Sequence, residues 1–214
     1  MPLPGRLISL EGIDGVGKTT QTERLGLYLR ACGLRVLVTH EPGGTELGEA
    51  LREVVLGRRL GTVAPAAELF LYSAARAEHV AKVIRPALAE GRVVVCDRYT
   101  LSTLAYQGYG RGLDLAELEA VNRLATGGLE PDLTLLLDMP AREALRRLVT
   151  AGRKADRLEA EGSEFLETVR RGYLTLARQF PERVAVIEAL GPPDEVFVRV
   201  KNKVEAFLER KGWS

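Results

Sequence analysis

Short unbroken apolar runs alternate along the chain with longer stretches whose apolar residues recur every three or four positions. The first pattern marks strands buried on both faces, the second marks amphipathic helices. Strands are predicted at residues 6–10, 35–39, 92–97, 133–138 and 184–188. Helices are predicted at 20–30, 46–56, 65–90, 115–125, 140–148, 163–179 and 196–210. The run Val93-Val94-Val95-Cys96-Asp97 is continuous and closes on an acid, which places it in the middle of a parallel sheet. Gly33 and Gly91 follow predicted helices as stops, and Pro65 and Pro140 suit first helical turns. Residues 65–90 read as one long helix or two in series. Leu69, Tyr72, Arg76, His79 and Val83 lie at helical spacing, Pro86 supplies a kink, and His79 is expected to be an exposed helix residue.

Alternating strands and helices predict a single α/β domain over residues 1–214. Its expected architecture is three-layer α/β/α, with a five-stranded parallel sheet. Residues 150–162 break the pattern. Arg153, Lys154, Asp156 and Arg157 crowd a stretch with few core residues, which reads as a small surface lid between helices or as a solvated charge run.

One stretch between the first strand and the first helix carries chemistry. Gly12-Ile13-Asp14-Gly15-Val16-Gly17-Lys18-Thr19 fits G-x-x-x-x-G-K-[ST], the phosphate-binding loop, and Thr20 continues it into the helix. Glycines let successive backbone N–H groups point into one nest, and the helix start adds its positive dipole end. Lys18 is expected to reach the β- and γ-phosphates of a nucleoside triphosphate, ATP, and the Thr19 hydroxyl to ligate Mg²⁺. Asp97 ends a central strand, where ligands of parallel sheets gather. It suits the Mg²⁺ shell opposite Thr19, or caps a helix. The adjacent Arg98 suits an acceptor phosphate, or a surface ion pair. Arg52 and Arg76 also follow or face predicted strand ends.

Composition narrows the classes. With 30 basic and 29 acidic residues the net charge is +1, which offers no broad field for nucleic acid or an anionic membrane. No apolar run reaches the roughly 18 residues that span a bilayer. The N-terminal residues lack the charged leader and apolar core of a signal peptide. Cys32 and Cys96 are unclustered, so no disulfide framework or zinc pattern arises and a reducing cytoplasm is the expected setting. A GTP-hydrolysing switch is disfavoured, because no Asn-Lys-x-Asp guanine motif is present.

Beyond the phosphate loop the chain resembles the thymidylate kinases, which phosphorylate dTMP. The resemblance rests on Glu11 to Thr20, Glu41-Pro42-Gly43-Gly44-Thr45, Ala74-Ala75-Arg76, and Asp97-Arg98-Tyr99 through Ser102-Thr103 to Ala105-Tyr106-Gln107-Gly108, with Asp156-Arg157 in the lid. It extends from the first strand to the last and implies a P-loop NTPase fold, Mg²⁺ with ATP as donor, and a homodimer. By resemblance Tyr72 stacks on thymine, with Arg76, Thr103 and Gln107 as hydrogen-bonding neighbours of the base. Tyr106 sits beside the sugar, Arg98 clamps the acceptor phosphate with Arg52 assisting, and Asp14 contacts the sugar or the Mg²⁺ water shell. Relatives often have Phe where Tyr72 stands and Arg where His40 stands. No basic residue lies between the loop's outer glycines, so the resemblance assigns the transition-state charge to Arg153 and Arg157 of the lid. The adenine site is expected near Arg146 and residues 189–194. A kinase for a different acceptor is the main rival reading.

Overall fold

The structure, a computed structural model, describes residues 5–57, 61–150, 152, 157, 161–210 and 212. Among these residues five strands form one parallel sheet, ordered β2-β3-β1-β4-β5. The first strand, β1 (Arg6–Glu11), lies at the centre. On one side it pairs with β3 (Val93–Asp97), and Leu10 lies opposite Asp97. On the other it pairs with β4 (Leu133–Asp138), and Glu11 lies opposite Leu136. The half-exposed edges are β2 (Val36–His40) and β5 (Val184–Glu188). The chain leaves β1 to one side and later crosses to the other, so a crevice opens at the C-terminal end of β1. Ligands bind at such a switch point.

Period-two alternation divides the core between the two faces of the sheet. Ile8, Leu10, Val93 and Val95 face the larger cluster, while Leu7, Val94 and Cys96 face a smaller one with Val80 and Ile84. The first helix, α1 (Lys18–Ala31), follows the glycine loop directly. Next comes α2 (Glu46–Leu56), whose Thr45 cap accepts a hydrogen bond from the Gly48 amide.

The stretch predicted as one or two helices is α3 (Pro65–His79), a wide π-helical turn over Val80–Ile84, and α4 (Arg85–Ala89). Pro86 has no N–H to give the regular ladder, and the ladder widens just before it. After β3, a four-residue helix α5 (Thr100–Thr103) runs into a second π-helical segment, Leu104–Gly110. This segment carries Tyr106 and Gln107 and packs on α8 (Ser163–Gln179). The remaining helices are α6 (Leu115–Thr126), α7 (Ala141–Thr150) and α9 (Pro193–Arg210). Among the described residues no helix is long and apolar enough to cross a membrane.

Candidate active site

A cavity of about 560 Å³ occupies the crevice at the C-terminal end of β1. One end of it is the glycine loop. Gly12 has φ 135° and Gly15 has φ 85°. A Cβ on Gly12 would lie 2.4 Å from the Leu137 carbonyl oxygen, and one on Gly15 would lie 2.3 Å from that of Ala144. Both sites therefore require glycine for conformation and for space. Ile13 and Val16 are buried and anchor the loop in the core, so their part in the nest is their backbone. Gly17 caps α1 from the left-handed region.

Lys18 Nζ donates to the Ile13 carbonyl at 2.8 Å and lies 3.8 Å from Asp14 Oδ1. Burial and the nearby Arg98 guanidinium pull its pKa down to about 8, against Asp14, Asp97 and Glu11, which favour its charge. Thr19 Oγ1 donates to Asp97 Oδ2 at 2.6 Å, while Asp97 Oδ1 is buried and has no hydrogen-bond partner among the described residues. An orphaned carboxylate oxygen beside a hydroxyl, at the foot of a phosphate nest, fits a hard divalent cation such as Mg²⁺. Thr20 lines the same cavity.

The middle of the cavity is organised by Arg98, which follows β3 with φ 73°, a left-handed backbone of order 1–3 kcal/mol in cost for a non-glycine residue. Its Nη2 donates to Asp14 Oδ1 at 2.5 Å and to the Tyr106 hydroxyl at 3.2 Å, and its Nη1 donates to the Gly12 carbonyl at 3.1 Å. Tyr106 in turn donates to Asp14 Oδ2 at 2.7 Å. Burial would raise the Asp14 pKa, but Arg98, Lys18 and Tyr106 together hold it below the ordinary carboxylate range. A second layer supports this one. Glu11 is wholly buried and accepts from the Tyr99 amide at 2.8 Å, Ser102 Oγ at 2.6 Å and the Tyr173 hydroxyl at 3.0 Å. Burial raises the Glu11 pKa despite Ser102, Arg98, Tyr99 and Tyr173.

The other end of the cavity is lined by Tyr72, Arg76, Thr103 and Gln107, with Arg52 at its edge. Arg76 is 3% exposed. Its Nε donates to Glu41 Oε2 at 2.7 Å, its Nη1 to Thr103 Oγ1 at 2.7 Å and Asn122 Oδ1 at 2.8 Å, and its Nη2 to the Tyr99 carbonyl at 3.0 Å. Four of its five N–H donors are thus committed, and Arg76 is a structural hub that also lines the cavity. Arg52 Nη1 donates to the Pro42 carbonyl at 2.8 Å.

One expectation is corrected, and two other regions are located. His79 is not an exposed helix residue but wholly buried, with Nδ1 3.1 Å from Glu41 Oε1 and Nε2 2.7 Å from Thr39 Oγ1. A carboxylate only accepts, so Nδ1 carries a proton toward Glu41, and Nε2 pairs with the Thr39 hydroxyl. Near residues 189–194 the bridging side chain is Arg147, whose Nη2 donates to the Gly191 carbonyl at 2.9 Å. Arg146 points outward to Glu143. Arg157 does not reach the glycine loop here. It is buried, with Nε on the Val55 carbonyl at 2.9 Å and Nη2 on Glu68 Oε2 at 2.5 Å. Arg153, Lys154 and Asp156 lie outside the described residues. Sequence reasoning passed over Glu68, Asn122, Arg147 and Tyr173. A lone Asn or Glu on the apolar face of a predicted helix was the available signal for the first two.

A phosphate nest facing a second, arginine-rich subsite across one cavity defines a phosphoryl-transfer enzyme with two nucleotide subsites, an ATP-dependent nucleoside monophosphate kinase. The family model described as thymidylate kinase matches residues 10–200. A thymidylate kinase of Desulfovibrio desulfuricans is 52% identical over 96% of this chain and 97% of its own. One of Pelotomaculum thermopropionicum is 50% identical over 97% of this chain and 96% of its own. The crystal structure of thymidylate kinase from Ehrlichia chaffeensis superposes with a TM-score of 0.78 at 31% identity, over 94% of this chain and 99% of that one. The chain belongs to the thymidylate kinase family.

Proposed function

We propose that this chain transfers the γ-phosphoryl group of ATP to the 5′-phosphate of dTMP, giving ADP and dTDP. The observation that carries the reading is the Asp14–Arg98–Tyr106 cluster. It places a fixed guanidinium within the same cavity as Lys18 on one side and the Tyr72–Arg76–Gln107 end on the other. An acceptor phosphate on Arg98 has its base end toward Tyr72, and its phosphate oxygen faces the triphosphate held by the nest.

The chemistry asks for little covalent help. An anionic oxygen of the acceptor phosphate forms the new P–O bond as the bond from the γ-phosphorus to the bridging oxygen of ADP breaks, and no strong base is required. The protein brings two anions together and offsets their charge. Lys18 and the loop amides hold the β- and γ-phosphates, and Arg98, assisted by Arg52, holds the acceptor. Thr19 and Asp97 would hold Mg²⁺, which supplies charge neutralisation of the β- and γ-oxygens when bound. Arg153 and Arg157 of the lid, residues 150–162, complete the charge in the closed state. Tyr106, against Asp14, crowds the place of a 2′-hydroxyl and favours the deoxy sugar.

We also take residues 1–214 as one kinase domain acting as a homodimer in the cytoplasm. Apolar surface on α3, where Phe70 is 62% exposed, supports the dimer, and light scattering tests it. ADP release coupled to dTMP, dUMP and thymidine side by side tests the activity. Turnover with thymidine but not with dTMP would overturn it.

A further inference from the structure

Glu68 stands on α3 one turn before Tyr72, and its side chain is wholly inaccessible. Three side chains converge on it. Gln107 Nε2 donates to Oε1 at 2.7 Å, Arg157 Nη2 donates to Oε2 at 2.5 Å, and Arg111 Nη2 reaches Oε2 at 3.5 Å. A carboxylate facing two guanidiniums offers only acceptors, so the edge of Gln107 turned toward it must be the NH₂. The amide oxygen is the edge left for the cavity that Gln107 lines, and no described residue donates to it.

A glutamine amide is nearly symmetric in shape, and a free one rotates to suit either a donor or an acceptor. Gln107 is 2% exposed, so water cannot relieve a mismatch there. We propose that Glu68 is a specificity-determining positioning residue. It fixes the polarity of the Gln107 amide so that the base subsite presents an acceptor. The subsite then selects pyrimidines with an N3–H, thymine and uracil, and rejects cytosine, whose N3 is itself an acceptor. The inference rests on the dTMP reading above and adds the device that sets its base class. Glu68 needs no contact with the nucleotide.

The test compares kcat/KM for dTMP, dUMP and dCMP in the wild type, in Glu68→Gln and in the exchange E68Q/Q107E. Any loss of lid function is common to the three acceptors and cancels in their ratios. In Glu68→Gln the amide at 107 is free to turn, and the dTMP:dCMP ratio should fall at least tenfold while dTMP:dUMP stays within about twofold. The exchange puts a carboxylate, which can only accept, at 107 and a donor NH₂ at 68, so it should return the dTMP:dCMP ratio toward the wild-type value. A merely structural Glu68 moves both ratios or neither and gains nothing from the exchange. Either result overturns the proposal. If Glu68→Gln alone does not fold, the exchange decides: a retained ratio supports the proposal and a collapsed one overturns it. A wild type inactive on dTMP fails the functional reading itself. A wild-type preference for dTMP over dCMP that E68Q leaves intact fails only the role of Glu68.

Discussion

Arg98 Nη2 lies 2.5 Å from Oδ1 of Asp14, so a carboxylate of the glycine loop holds the guanidinium in the middle of the cavity. Tyr106 closes the triangle from the other carboxylate oxygen at 2.7 Å. Asp14 is therefore expected to act on the acceptor through Arg98 as much as by direct contact. Asp14→Asn removes the charge and keeps the shape. A hydrogen bond to a charged group is worth about 1.5–3 kcal/mol, so kcat/KM for dTMP should fall roughly 10- to 100-fold. Arg98→Ala should cost more, with KM raised and kcat lowered together. An Asp14→Asn enzyme within threefold of wild type in steady-state kinetics would separate Asp14 from Arg98.

Lys18 should make triphosphate binding depend on pH. Its pKa, pulled to about 8 by burial and Arg98, lies below the ordinary lysine value. In the unfolded chain Lys18 still holds its proton where the folded enzyme has begun to lose it. Its contribution to stability therefore rises with pH above about 8, and the full penalty is present below that. Bound phosphates reverse the preference and restore the charge. Triphosphate binding between about pH 8 and 9 should then take up a fraction of a proton, up to one, and less at pH 7. Titration calorimetry in buffers of different ionisation enthalpy reads this directly. Binding heats that do not vary with the buffer at pH 8.5 would show that Lys18 is already charged.

Much of this arrangement was legible in the sequence, for identifiable reasons. Short, largely apolar runs bounded by turn residues suit strands buried on both faces, and β1, β3 and β4 are such runs, β3 the most continuous. The glycine motif is legible because Gly12 admits no Cβ and Gly17 holds a left-handed backbone. Tyr72 and Arg76 were placed together by a spacing of four on one helix. His79 continues that register, yet its exposure was misjudged, since its reason for burial is Glu41, remote in sequence. Burial of a polar side chain depends on a partner supplied by another element, and a single helix's pattern carries no trace of it. The same holds for Glu68, whose partners Gln107 and Arg157 come from other parts of the chain. Arg157 was legible as a charge but not as a location, because a loop's sequence does not state which surface it packs on.

Glu41 tests how far the acceptor site depends on a buried ion pair. It holds Arg76 Nε at 2.7 Å and His79 Nδ1 at 3.1 Å. Burial works against the charge of Arg76, and Glu41 more than restores it, so that the Arg76 pKa is raised. Glu41→Gln leaves that guanidinium poorly paired, which typically costs 3–5 kcal/mol. For a chain of this size that is roughly 10 °C in Tm. KM for dTMP should rise as well, because Arg76 lines the cavity. Unchanged melting in Glu41→Gln would show that Arg76 is held adequately by Thr103, Asn122 and Tyr99.

Asp97 has one oxygen on Thr19 and one buried with no partner among the described residues. If that oxygen serves Mg²⁺, Asp97→Asn should raise the Mg²⁺ concentration for half-maximal activity at least tenfold while leaving dTMP binding near normal. Calorimetry with dTMP alone and a Mg²⁺ titration of turnover separate the two. An unchanged Mg²⁺ requirement would confine Asp97 to orienting Thr19.

Arg157 poses the sharpest choice, because its guanidinium is buried on Glu68 and the Val55 carbonyl rather than on a phosphate. If it serves the transition state it must leave that seat when the lid closes. Arg157→Ala would then lower kcat on the order of 10³, as for other transition-state arginines, with KM for dTMP much less affected. If its task is to hold the lid against α3, the loss appears in stability and in both kinetic constants together, and is far smaller in kcat. Single-turnover rates with saturating ATP and dTMP distinguish the cases, since they isolate the transfer step from lid opening. A transfer rate within tenfold of wild type would remove Arg157 from the chemistry and leave Arg153 as the candidate to test next. Arg157→Lys refines the answer. A lysine keeps the charge but loses the planar fork that spans Glu68 and Val55, so partial recovery of the transfer rate would show that charge, not seating, is what the reaction uses.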